Sequence, residues 1–218
     1  MNVKVDLAAP SREPLQGRSR ASFERMVDAA AKLLVERGND EFTLADVSRA
    51  GKVSIGSIYC RFDSKDDLIR AVQVRALADI DSDQASGIAQ AVSEAGSLVD
   101  LVGRLVESIA EVLRKHSAIL RPFMLRATTD AIVAGVGKKS YAVTEQQFHE
   151  ALLARRDEIR HPDPERAINS LFRIVYAAVA RYLGFGSSTD AAWEGDWRVL
   201  KEDLAAMSSA FLRHPPRD

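Results

Sequence analysis

Between residues 42 and 62 the run FTLADVSRAGKVSIGSIYCRF switches twice from residues that start a helix to residues that end one. Thr43, with Asp46 three residues on, is a capping box in which Asp replaces the usual Glu. Leu44, Val47 and Ala50 then face one way, and Gly51 can close the helix with a left-handed residue. Ser54 is a second N-cap. Val53 before it can pack on Ile58 as a hydrophobic staple, which fixes the angle at which the chain enters the next helix. A third helix starts at Ser64, with Asp67 completing another box. Two very short helices, a tight glycine-containing turn and a support helix make a helix-turn-helix. The second short helix carries Ser54, Ser57, Tyr59, Cys60 and Arg61, which are hydrogen-bonding and cationic groups.

Little else in the chain offers chemistry. His116, His149, His161 and His214 lack metal-ligand spacing, and no cofactor is expected. Nothing resembles a nucleophile elbow, a phosphate loop or a paired acid–base site, which points away from an enzyme. Cys60 is the single cysteine, so it cannot staple the chain and fits a reducing compartment, the cytoplasm. A redox sensor with Arg61 lowering the thiol pKa is the sharper reading of Cys60, and an inert thiol the plainer one. The N-terminus lacks the apolar core of a secretory signal. No stretch approaches the roughly 18 apolar residues of a membrane span. The net charge is −1, so any nucleic-acid binding must come from a local patch.

The elements around this stretch are helical. Residues 1–18 hold two Pro, a Gly and scattered charges, and read as a flexible arm. In 20–37 the apolar residues Phe23, Met26, Val27, Ala30, Leu33 and Leu34 have helical spacing, and Gly38 supplies the stop. After Ser64, Leu68, Ile69, Val72 and Leu77 line one face. Further helices are predicted near 84–93, 97–115, 117–134, 139–158, 163–184 and 196–213. Their punctuation is Gly96, His116, Gly135 with Gly137, HPDP at 161–164, and the run 184–196. Pro122 falls within the first turns of its helix or kinks it. No alternating strand pattern occurs, so the fold class is all-α. With 46% hydrophobic residues there is enough apolar material for a core.

The 42–68 segment resembles the DNA-binding domain of TetR-type (tetracycline-repressor-like) transcriptional regulators. The family pattern is roughly T-x-x-x-I-A-x-x-A-G-V-S-x-G-T-L-Y-x-H-F-x-x-K-x-x-L, and the chain follows it without gaps. Thr43, Val47, Ser48, Val53, Ser54, Gly56, Ser57, Ile58, Tyr59, Phe62, Lys65 and Leu68 stand in register. Gly51-Lys52 departs from the usual Ala-Gly, which leaves Lys52 to adopt the left-handed conformation itself or the turn to be reshaped. Arg61 stands where His is common, and Ile55 and Cys60 occupy variable positions.

The resemblance implies three segments: the arm 1–18, a three-helix helix-turn-helix DNA-binding domain over 19–65, and a helical ligand-binding and dimerisation domain over 66–218. A recognition helix of this kind enters the major groove with its N-terminal side chains at base edges. Gly56 permits close approach, Ser54 and Ser57 can bond bases or phosphates, and Ile55 can meet a thymine methyl. Arg61 can pair with guanine or with phosphate. Tyr59 and Lys65 resemble the family's backbone clamps, and Thr43 sits at a helix N-terminus that favours phosphate. Each has a plainer reading: caps for the serines, packing for Tyr59, solvated charge for Arg61 and Lys65. Arg12, Arg18 and Arg20 make either a minor-groove arm or a simple tail.

The resemblance further implies a small-molecule pocket, with Met124, Phe148, Leu152, Phe172 and Tyr176 as candidates, plain core being the alternative for each. The last two helices are expected to build a four-helix homodimer interface. There Ala177, Ala178, Ala180 and Gly184 would allow close approach, and Leu204, Met207 and Phe211 would supply an apolar stripe. Trp193 and Trp197 would anchor the connecting loop. The expected function is a homodimeric repressor on an inverted-repeat operator in double-stranded DNA, released by an unknown small-molecule effector, with no membrane partner. The alternatives are an all-α interaction protein, or a sequence-neutral DNA binder without ligand control.

Overall fold

The computed structural model describes residues 17–186 and 194–214. Helices run through it and no strand occurs among the described residues. The nine α-helices there are α1 (Gly17–Arg37), α2 (Leu44–Gly51), α3 (Ile55–Tyr59), α4 (Lys65–Glu94), α5 (Leu98–Lys115), α6 (Ser117–Arg126), α7 (Ala131–Leu153), α8 (Pro164–Tyr182) and α9 (Trp197–Arg213), with a 3-10 turn at Arg156–Glu158.

Two expectations about the elements need correction. The segments predicted after Ser64 and at 84–93 are one helix of 30 residues, α4. The stretch Asp79–Asp83 between them contains neither Pro nor Gly. Buried Ile80, Gln84 and Ile88 carry the inward stripe straight through it. The second correction concerns the break expected at Gly135 and Gly137, which lies earlier, at residues 127–130. Asp130 sets it: its Oδ1 accepts the N–H of Ile132 at 3.0 Å and of Val133 at 3.2 Å. A side-chain cap of this kind is worth about 1 kcal/mol, enough to offset one helical glycine. Both Gly135 and Gly137 sit inside α7, the second carried by the packing of the helix. Pro122 is buried at the middle of α6. The proposed loop role of Trp193, the arm before residue 17 and the Arg18 side chain lie outside the described residues.

The chain divides into two compact units. Unit 1 takes residues up to Ala78 together with Ala118–Val136; unit 2 takes Asp79–Ser117 and the chain from Gly137. The contacts thus draw the boundary differently from the expected division at residue 65, because α6 and the start of α7 join the first helices. The unit 1 core gathers Met26, Val27, Ala30 and Leu34 of α1, Val47 of α2, Ile58 of α3, Leu68, Ile69 and Val72 of α4, and Phe123 and Val133.

Unit 2 is built on α5. Leu98, Leu101, Val102, Leu105, Val106, Ile109, Ala110 and Leu113 are all buried, the spacing of a helix covered on its inward face. α8 and α9 pack on it and on each other. Its start is tied down from the 3-10 turn: Glu158 accepts the Leu98 N–H at 2.7 Å, and Arg155 donates to the Ala95 carbonyl at 2.6 Å. On the α9 side, Trp197 Nε1 donates to Glu111 at 2.6 Å, and Lys201 bonds Glu107 and Glu111 at 2.7 and 2.6 Å.

Candidate nucleic-acid interface

The two short helices are assembled as the capping residues dictate. Thr43 Oγ1 accepts the Asp46 N–H at 3.2 Å, and the Asp46 carboxylate accepts the Thr43 N–H at 2.9 Å, so the box is reciprocal. The backbone N–H of Thr43, followed by its hydroxyl, holds the Asp46 carboxyl below the usual range. Ser54 Oγ accepts the Ser57 N–H at 3.1 Å and lies 2.7 Å from the Ser57 hydroxyl. At α4, Ser64 Oγ accepts the Asp67 N–H at 3.1 Å, while the return bond runs from the Ser64 hydroxyl itself to the carboxylate at 2.8 Å.

The turn between α2 and α3 resolves the departure at residues 51 and 52. Lys52 takes the left-handed conformation, with φ 51° and ψ 45°. Gly51 remains helical and buried because α1 passes close by. A Cβ at position 51 would stand 2.9 Å from the Arg25 carbonyl oxygen and 3.2 Å from Ala29 Cβ. One residue supplies the close approach and the next supplies the turn. Ser48 locks the result: its carbonyl accepts the N–H of Lys52 and that of Val53, and its hydroxyl donates to the Val53 carbonyl at 2.6 Å. The motif contained Ser48, but only the three-dimensional turn assigns it this work.

The face of α3 divides sharply. Ile58, and Phe62 beyond it, are 0% exposed, and Phe62 stacks on Phe23 of α1 with centroids 5.7 Å apart. On the other side Ile55 is 43% and Tyr59 59% exposed. Ser54, Gly56 and Cys60 are also exposed, and no atom comes within 4 Å of where a Gly56 Cβ would lie. Thr43 stands exposed at the start of α2. Between Thr43 and Lys65 four basic residues (Arg49, Lys52, Arg61, Lys65) meet two acidic ones (Asp46, Asp63) in a chain that is otherwise slightly acidic. That is the local positive bias that phosphate binding needs.

Arg61 and Lys65 are engaged inside the unit. Arg61 donates to the Ser19 carbonyl at 3.1 Å and also bonds the Ser19 hydroxyl. Lys65 Nζ donates to the Asp40 carbonyl at 2.7 Å and lies over the Phe42 ring. Asp40 in turn pairs with Arg126 at the end of α6. Arg126 also reaches Asp66 at 2.7 Å and Asp130 at 3.3 Å, and Arg70 bridges Asp130 at 3.1 Å to Asp67 at 3.4 Å. Burial works against the charge on Arg126, and Asp66 and Asp40 outweigh it. Burial likewise pushes Asp130 up, and the Val133 N–H, Arg70 and the Ile132 N–H together hold it below its ordinary value. This network fixes the 38–42 loop and the start of α4 to α6. No sequence signal pointed to it, since Asp40 and Arg126 are 86 residues apart.

Four of the five candidate pocket residues are in unit 2. Phe148 and Phe172 pack at 5.3 Å, and Phe172 and Tyr176 at 6.0 Å, with Tyr141, unforeseen, at 5.2 Å from Phe172 and 4.8 Å from Tyr176. Burial raises the Tyr176 phenol to about 12. Leu152 is fully buried. Met124 is half-buried on α6, in unit 1, so neither unit joins it to the others. Of the expected dimer residues, Leu204 turns into its own core while Met207 and Phe211 are exposed. Cys60 is an exposed free thiol. Among the described residues there is no cluster of ligands for a metal, and no helix long and apolar enough to cross a membrane.

Known proteins resemble this chain in sequence and in fold. The chain is 41% identical over 54 residues to an uncharacterised HTH-type transcriptional regulator, YwcC, of Bacillus subtilis (strain 168), covering 25% of this chain and 24% of that one. It is 28% identical over 155 residues to the HTH-type transcriptional repressor KstR2 of Rhodococcus jostii (strain RHA1), covering 71% and 58%. The chain thus spans about a quarter and somewhat over half the length of these two curated relatives. A tetR-family regulator structure from Mesorhizobium loti MAFF303099 superposes with a TM-score of 0.71 at 18% identity, over 90% of this chain and 98% of that one. At that identity the likeness is one of fold. Residues 26–72 match the model for bacterial regulatory proteins of the tetR family. The α1–α4 segment thus matches the N-terminal domain of tetR-family bacterial regulatory proteins, and the chain shares the fold of a tetR-family structure.

Proposed function

We propose that this protein is a homodimeric, cytoplasmic repressor that binds an inverted-repeat operator through α3 and leaves it when a small molecule enters the helices of unit 2. The observation that carries the DNA reading is the two-sided α3. Its inner face is wholly buried, while Ile55 and Tyr59 stand out to solvent with serine hydroxyls and an unobstructed Gly56 between them. A helix of five residues gains little stability by exposing an isoleucine and a tyrosine; a thymine methyl and a phosphate oxygen give them partners. Thr43, Ser54 and Ser57 add phosphate or base contacts. Arg61 and Lys65 exchange neutral carbonyl partners for phosphate or guanine, a trade favoured by the stronger bond to a charged acceptor. Repression rather than activation is supported by the likeness to KstR2, itself a repressor.

The dimer reading is supported by the outward faces of α8 and α9. Ile174, Ala177, Ala206, Met207, Ala210 and Phe211 are all exposed, an apolar surface of small and large side chains suited to a second copy. The test is to sequence the genomic fragments that the purified protein retains and to footprint them. We expect two half-sites related by a dyad, with centres about 34–36 Å apart or a related multiple. A single asymmetric site bound by one chain, or retention without sequence preference, would refute the reading.

A further inference from the structure

The α4–α7 seam of unit 2 holds polar atoms that the protein itself leaves unanswered. Asp81 on α4 accepts a hydrogen bond from the Ser140 hydroxyl of α7 at 2.5 Å, which brings these two helix faces together. Among the described residues that is its one partner, and no cation stands against the carboxylate. Burial pushes its carboxyl above the ordinary value, with only Ser140 opposing. One turn further along α4, Gln84 is 2% exposed, and its Oε1 has no hydrogen-bond partner. Two turns beyond Ser140 on α7, the buried Gln147 Oε1 has none either. Leaving such an oxygen unmet forfeits its hydration without a replacement bond, and native proteins seldom tolerate several together without a water or ligand to answer them.

The two unmet oxygens and the singly bonded Asp81 carboxylate share a polarity. A carboxylate and two amide carbonyls are all acceptors, so the missing partner is a donor, and the carboxylate asks for a positive one. Tyr141, next in sequence to Ser140, opens the aromatic cluster with Phe172 and Tyr176, and aromatic faces attract cations lying within about 6 Å of the ring. We propose that the seam between the second half of α4 and α7 receives the cationic end of an effector, an ammonium or amidinium carried on an aromatic or apolar body. This rests on the ligand-controlled reading above and names the chemistry of its ligand.

The test titrates the full-length protein calorimetrically with aromatic cations of graded size: benzamidine, phenethylamine, tryptamine and 4-phenylbutylamine. Tryptophol and indole-3-acetate serve as the neutral and anionic matches of tryptamine. At least one cation should bind, the anion should not, and Asp81→Asn and Gln84→Met should each weaken the cation about tenfold or more, the loss of one charge-assisted or buried bond. The two variants differ in charge and shape, so a fold defect in one leaves the other to decide. The proposal is overturned if every cation fails at millimolar concentration, if the anion binds as well as the cation, or if neither folded variant changes the affinity. Repeating the titration with a retained operator fragment separates the two readings. A cation that binds with these dependences but leaves operator affinity unchanged keeps the site and removes the switch. A compound that releases the operator equally from the wild type and from both variants keeps the switch and overturns the site.

Discussion

Exchanging the characters of the two residues at the end of α2 measures how the recognition turn is held. Lys52 sits at φ 51° and ψ 45°, where a Cβ costs about 1–2 kcal/mol relative to glycine. Lys52→Gly removes that cost and adds about 0.4–1 kcal/mol of freedom to the unfolded chain. The net expectation is a gain of about 0.5–1 kcal/mol. Gly51→Ala should act in the opposite sense. It gains about 1 kcal/mol of helix propensity, but its Cβ would meet the Arg25 carbonyl at 2.9 Å and Ala29 at 3.2 Å. The nearer of these is helix backbone and cannot swing aside, so α1 must shift, and overpacking of this kind costs about 1–3 kcal/mol. A net loss of about 1 kcal/mol follows.

For a chain of this length 1 kcal/mol moves a thermal midpoint by about 2–4 °C, within the reach of far-ultraviolet circular dichroism. Lys52→Ala is the control, because it removes the charge but keeps the Cβ. If Lys52→Ala stabilises as much as Lys52→Gly, the gain comes from charge and the backbone argument is wrong. If Gly51→Ala raises the midpoint, the approach of α1 does not require glycine. The sign pattern matters more than either magnitude, since the two substitutions are adjacent and their effects need not add.

Other outcomes follow from the same geometry. Gly56→Ala should leave the free protein as stable or slightly more so, because its Cβ meets nothing within 4 Å, yet it should weaken operator binding in a gel-shift titration; unchanged affinity would place α3 away from the DNA. Lys65→Ala should weaken all operator variants alike and lower the slope of log affinity against log salt by about 1, whereas an unchanged slope would leave Lys65 with the Asp40 carbonyl alone. Arg126→Met removes the cation from between three carboxylates while its side chain is only 16% exposed. Denaturant unfolding should show a loss of about 3 kcal/mol, against nothing measurable for Arg198→Met on the open surface of α9. Asp81 has a raised folded pKa, so the stability tied to its protonation is present at low pH and lost as pH rises through that value. Asp81→Asn should therefore melt higher than the wild type at pH 7, with the gap closing below about pH 4; a gap that widens in acid would reverse the assignment.

What could be read from the sequence and what could not divides by distance along the chain. A cap is a bargain among residues three apart, so Thr43–Asp46, Ser54–Ser57 and Ser64–Asp67 announced the starts of α2, α3 and α4 in residue types alone. Glycine proved an ambiguous sign, because it serves more than one purpose. At position 51 it admits α1, while at 135 and 137 it merely rides inside α7, whose true start was set by Asp130. The motif likewise located Arg61 and Lys65 but not what they hold, since Ser19 lies 42 residues and Asp40 25 residues away. That difference alters the energetics of the interface. On the proposed DNA reading, each of these two cations would first have to leave a carbonyl, so each would contribute to DNA affinity only the difference between its two partners. The carbonyl that Lys65 must leave belongs to the residue whose carboxylate Arg126 grips. The position of α6 therefore bears on how readily the start of α4 can offer its lysine to a phosphate.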